Sequence, residues 1–108
     1  SSAVVAQYRG LTAAGLGNLP AAEAKLREAL ALLALRADGA ARPDDAEIAL
    51  YAKGAPKGPT PVSPALEAIA PHVALLLVRR SLVFTLEAFG ETDKAEAERR
   101  LLPEEWRP

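Results

Sequence analysis

Hydrophobic residues recur along this chain at spacings of three and four and nowhere alternate over a useful length, so the pattern is helical. From about Ser2 to Leu16, the residues Val4, Val5, Tyr8, Leu11 and Thr12 make one packing stripe. Gly15 and Gly17 end that helix, because glycine takes the left-handed conformation at little cost. Asn18 is placed to cap a second helix, with Pro20 in the first turn, where a missing N–H does no harm. Leu26, Ala29, Leu30 and Leu33 form its inner side, while Glu23 and Arg27 lie outward. This helix is predicted to run to about Arg36 and to stop near Asp38-Gly39.

Pro43-Asp44-Asp45 marks a third helix start, with carboxylates against the positive end of the dipole. Ile48, Leu50 and Tyr51 carry that helix to Lys53-Gly54. The stretch from Gly54 to Pro64 holds four prolines besides glycines, which precludes a continuous helix. An irregular segment of that length is uncommon in a small domain unless it serves a function. Ser63 can cap a short helix that begins at Pro64 and ends near Ile69, because Pro71 breaks it. A long helix from Pro71 to Phe89 is apolar nearly all round, which predicts a central position flanked on several sides. Gly90 stops it, Thr92 is expected to cap a last helix, and Pro103 ends that one. Leu101, Leu102 and Trp106 are placed to fold back onto the body.

Composition agrees with an all-α chain. Ala and Leu dominate its 108 residues. The net charge of −1, with both signs interspersed, leaves no electrostatic footprint for nucleic acid or an acidic membrane. Cysteine is absent, so disulfides, thiolate catalysis and thiolate metal sites are excluded. A single histidine argues against a histidine metal site, and no cofactor is expected. The run Val73–Val78 ends at Arg79-Arg80, far short of the roughly 20 apolar residues that a transmembrane helix needs. A soluble chain is expected. It opens at Ser1-Ser2 without methionine, which suggests a removed leader or targeting segment, or a piece of a longer protein; the compartment stays open.

Two parts of the chain match each other. With Gly17 aligned to Gly90, 73 residues later, Thr12 falls on Thr85, Ala22 on Ala95, Glu23 on Glu96 and Ala24 on Ala97. Self-similarity of this kind is the mark of stacked helical hairpins. The first copy resembles a tetratricopeptide repeat, a family that places small residues where Gly10, Gly17, Ala22 and Ala29 stand. The second keeps Gly90 and Ala95 but has Val83 and Leu102 at the other two positions. Ala6 stands where the family tends to have a large aromatic residue. The 73-residue offset also exceeds two periods of about 34. The resemblance is good over residues 3–35, fair over 76–102 and absent between. It implies a single domain of about three antiparallel pairs: a hairpin over 3–37, a degenerate middle hairpin over 43–70 stretched by the proline-rich loop 54–64, and a hairpin over 71–103, followed by a tail, 104–108.

In that family, partners sit on the surface formed by the first helix of each pair. Carried over, the partner-binding positions are Val4, Gln7, Leu11, Ala14 and Gly15, and then Leu77, Arg80, Phe84, Glu87 and Ala88. The first set is small and apolar, and lacks the Lys/Asn set with which some members grip a terminal carboxylate. Arg79-Arg80 is chemically odd, since two guanidinium groups leave the most apolar helix and each must reach water or a partner. The plain reading is snorkelling, with Glu87 or an acid of the fifth helix as partner; the functional one is an anchor for an acidic partner. His72 lacks a nucleophile or paired acid beside it. Asp44-Asp45 and Glu104-Glu105 are charges at helix-start and tail positions, since adjacent residues on a helix do not face each other. The Gly-x-x-x-Gly of the loop lacks the Lys-Ser/Thr ending of a phosphate-binding loop. Pro-Thr-Pro-Val-Ser-Pro reads first as a surface connector and second as a polyproline-II ligand or phosphorylation site.

These features lead to an expected non-enzymatic interaction module or adaptor that binds a helix or extended segment of another protein chain, without nucleic acid or a transmembrane segment. Two other roles share the features. One is a structural subunit of a large assembly, and the other a helical carrier of an apolar small ligand.

Overall fold

The computed structural model describes residues 3–108, so the expected helix start at Ser2 lies outside the described residues. Among the described residues the chain is all-helical, without strands. Helices α1 (Ala3–Gly15), α2 (Leu19–Asp38), α3 (Asp45–Lys53), α4 (Pro64–Ile69), α5 (Pro71–Ala88) and α6 (Thr92–Arg100) are followed by a 3-10 turn at Glu104–Trp106.

Local chemistry sets most of the boundaries. The Asn18 side chain accepts the Ala21 N–H, Asp44 accepts that of Glu47, and Ser63 accepts that of Leu66. Thr92 departs from expectation: it is the first helical residue, and Glu91 holds the cap position without a side-chain bond. The turn itself explains this. Gly90 adopts a φ of 77°, and the Glu91 N–H then closes back on the Leu86 carbonyl at 2.9 Å, which fixes Glu91 as the entry residue.

The α1–α2 turn is built the same way. Gly17 also has a φ of 77°, and the Asn18 N–H reaches the Ala13 carbonyl at 2.9 Å. Each turn sends the next helix back along the one before, so α1 packs on α2 and α5 on α6. The pairs meet where α2 packs on α5. Helix α5 is central, with α2, α4 and α6 packed on it and Val73, Ala74, Val78, Leu82, Val83 and Leu86 fully or nearly buried.

The α1 stripe is rotated from the predicted one. Ala3, Ala6, Gln7 and Gly10 are buried, whereas Val5 and Tyr8 are largely exposed. The cause is close helix approach. A Cβ added at Gly10 would stand 2.9 Å from Leu26 Cγ and 3.2 Å from the Ala22 carbonyl oxygen, so only the face of smallest residues fits against α2.

The middle of the chain, 43–70, is arranged differently from a packed hairpin. Helix α3 lies mainly on the C-terminal 3-10 turn, and α4 lies on α5 and the start of α1. Leu102 and Trp106 are buried against the body, as their apolar character predicts, while Leu101 stays exposed. Buried Glu67 on α4 ties the pieces together: it accepts the Ala3 N–H at 3.2 Å and pairs with Arg36 of α2 at 3.4 Å.

Candidate functional site

The irregular segment between α3 and α4 runs along the groove between α1 and α5. The Gln7 side-chain amide on α1 holds both backbone groups of Val62: the Val62 N–H donates to Gln7 Oε1 at 2.7 Å, and Gln7 Nε2 donates to the Val62 carbonyl at 3.1 Å. On α5, Ser81 Oγ accepts the Thr60 N–H at 3.1 Å, and Arg80 Nη1 donates to the Pro56 carbonyl. Gln7 and Arg80 occupy equivalent positions in the two hairpins, 73 residues apart.

The prolines explain why so few bonds suffice. Pro59 and Pro61 have no N–H to satisfy, which leaves the amides of Thr60 and Val62, the residue after each, and both find an acceptor in the groove. The Val62 side chain joins the core at 3 % exposure.

Beyond Pro59 the groove is open. A cleft of about 330 Å³ is lined by Leu11, Ala14 and Gly15 from α1, by Thr85, Ala88 and Phe89 from the α5 end, and by Pro59. Its walls are mainly apolar.

The expected site residues therefore divide. Leu11 and Ala14 line the open cleft, with Gly15 and Ala88 beside them. Gln7 and Arg80 hold the chain's own connector. Phe84 lies under the Arg80 guanidinium, 5.2 Å from ring centroid to Cζ. Glu87, on the exposed end of α5, pairs with Arg99 of α6. Leu77 is half-buried against the core, and Val4 is half-buried on α1. Ser81, Pro59, Thr85 and Phe89 lie outside the expected set, and only the helical register relative to Arg80 points to Ser81.

The two arginines part company. Arg79 Nη1 reaches Glu98 on α6 at 2.7 Å, and Arg27 Nη1 on α2 reaches the other oxygen of the same carboxylate at 2.7 Å. The partner is thus an acid of the last helix rather than Glu87, because the α5–α6 turn brings Glu98 over Arg79. This triad clamps three helices. Burial opposes the charge on Arg27, but the bonds to Glu98 and Glu23 outweigh it and raise its pKa above the ordinary value. Among the described residues Arg80 has no acid to offset burial, so desolvation lowers its pKa, and its Nε is buried without a partner. His72 Nε2 sits 3.2 Å from the Ala40 carbonyl.

No cluster of three or more His, Cys, Asp or Glu side chains that could hold a metal ion is found among the described residues. Among the same residues, no helix is long and apolar enough to cross a membrane. Comparison with protein-family models, curated proteins and solved structures finds no match.

Proposed function

We propose that this chain is a protein-interaction module, without catalysis of its own, that takes a segment of another protein chain in the cleft between α1 and α5. One observation carries the reading: the groove already holds a peptide segment through backbone bonds, and its continuation past Pro59 is open and apolar. In this reading α1–α2 and α5–α6 are two hairpins stacked through α2 and α5 in a tetratricopeptide-like manner, and residues 43–70 are an elaboration set between them. The matched turn bonds and the α2–α5 packing support it. The experiment is photo-crosslinking in the native source from residues placed at Ala14 and at Ala88, with Asp45 as the distant control. The expected result is one protein captured from both cleft positions and not from position 45. Capture of the same species from all three positions, or from none of the cleft positions, rejects the reading.

The structural-subunit reading has a separate observation in its favour. Leu50 and Tyr51 on α3 are 63 % and 45 % exposed and, with Glu47, line a second shallow hollow. That reading expects the α3 face, rather than the cleft, to give the crosslink.

A further inference from the structure

We infer that the groove between α1 and α5 is specific for an extended, proline-rich peptide, and that Pro56–Val62 is a tethered copy of that ligand which a partner segment must displace. The inference rests on the interaction-module reading and supplies its ligand class.

The chemistry is written in the bonds already described. A groove that offers acceptors at two points only, Ser81 Oγ and Gln7 Oε1, suits a segment whose amides are free at alternate residues. Pro-x-Pro-x does this, because every second residue lacks an N–H. A non-proline chain would bring two more amides into the groove, where these two acceptors do not serve them. Proline also keeps the free segment near the extended conformation, so less conformational entropy is lost on seating. The Gln7 amide matches the paired N–H and C=O of one residue, and that residue's side chain enters the core, where a small β-branched group such as that of Val62 fits. Arg80 contributes a donor for a carbonyl at the other end, with Phe84 beneath it.

Tethering explains how such a groove avoids promiscuous capture. A segment joined at both ends to the body competes at an effective concentration on the order of millimolar. An external peptide with the same contacts is therefore outcompeted, unless it reaches further. The open cleft lined by Leu11, Ala14, Ala88 and Phe89 is where additional residues of a longer ligand would gain contacts that the connector does not make.

The test uses a fluorescently labelled synthetic peptide of residues 55–64, with fluorescence anisotropy as the readout. Two variants loosen the connector in different ways. Val62→Ala weakens its core anchor, and Thr60→Pro removes the N–H that Ser81 accepts while leaving Val62 in place if the first variant does not fold. Faster tryptic cleavage after the exposed Lys57 verifies that the connector has lifted. The expected result is at least tenfold tighter peptide binding to a loosened variant than to the wild-type chain, abolished when Gln7→Ala is added. Equal or absent binding in wild type and in a variant verified as loosened overturns the inference, as does binding that survives Gln7→Ala. Cleft crosslinking at Ala14 and Ala88 that persists after such a failure leaves the interaction-module reading standing and removes only the ligand class.

Discussion

The N-terminal and C-terminal hairpins turn identically and pack by different means. Gly17 and Gly90 share a φ of 77°, and the bonds that close each turn repeat at the same offset. Inside the pairs the chemistry diverges. In α1–α2, Gly10 lets Leu26 lie against the helix backbone, so the contact is close and apolar. In α5–α6 the equivalent residues are Val83, which is fully buried, and Arg99, which pairs with Glu87 and Glu96. The buried apolar side chain has moved from the second helix to the first. The C-terminal pair then adds the carboxylate of Glu98, only 8 % exposed, held by Arg79 and Arg27. A glycine turn thus fixes the path of a hairpin without dictating what holds its two helices together.

Substitutions at equivalent positions separate the two modes. Leu26→Ala is expected to cost about 2–5 kcal/mol, because Leu26 is fully buried and its loss leaves a cavity. The matching Arg99→Ala should cost no more than about 1 kcal/mol, since the acids it pairs with, Glu87 and Glu96, are 40 % and 46 % exposed. Urea denaturation gives both values, and equal losses would erase the distinction.

Glu98→Gln comes next. It takes the charge partner from Arg79 and leaves Arg27 with Glu23 alone, and a loss of about 1–3 kcal/mol is expected, below that of a fully buried pair because Arg27 is 44 % exposed. Its counterpart Lys25→Ala, at an exposed i,i+3 pair, should stay within about 0.5 kcal/mol of wild type.

The turns should behave alike. Gly17→Ala and Gly90→Ala each force a left-handed conformation on a residue with a Cβ, at about 1 kcal/mol apiece. Thermal melts that differ by more than a few degrees between the two would show that the turns are not equivalent.

The smallest effect is acid sensitivity. A hydrogen bond from Lys94 of α6, joined by one from Arg27 and opposed by burial, lowers the pKa of Glu23 below 4.5. A depressed carboxylate pKa contributes stability above the unfolded value and loses it as pH falls through the folded one. Glu23→Gln should therefore flatten the decline in the urea midpoint below about pH 4.5 while slightly lowering the midpoint at neutral pH.

Where side chains act locally, the sequence was legible. Asn18 and Ser63 cap as their positions require, and Gly17 and Gly90 turn the chain. Helix α5 is central because it is apolar on most sides. What could not be read depends on distance between elements. The inner face of α1 was misassigned because hydrophobicity ranks Val5 and Tyr8 above Gly10 and Gln7, whereas close approach ranks by size. Gln7 and Arg80 stand among the positions expected to bind a partner chain; that they bond the protein's own connector follows only from where residues 54–63 are routed. The bridging role of Glu98 was hidden for the same reason, since its partners lie 19 and 71 residues away.

Amide hydrogen exchange at Val62, followed by NMR, tests most directly that the connector is seated against α1. If Gln7 holds it, the Val62 amide is protected in the wild-type chain, and Gln7→Ala speeds its exchange by at least tenfold while the Leu26 amide in α2 stays protected. A Val62 amide that exchanges at the rate of an unstructured peptide in the wild-type chain would contradict the account.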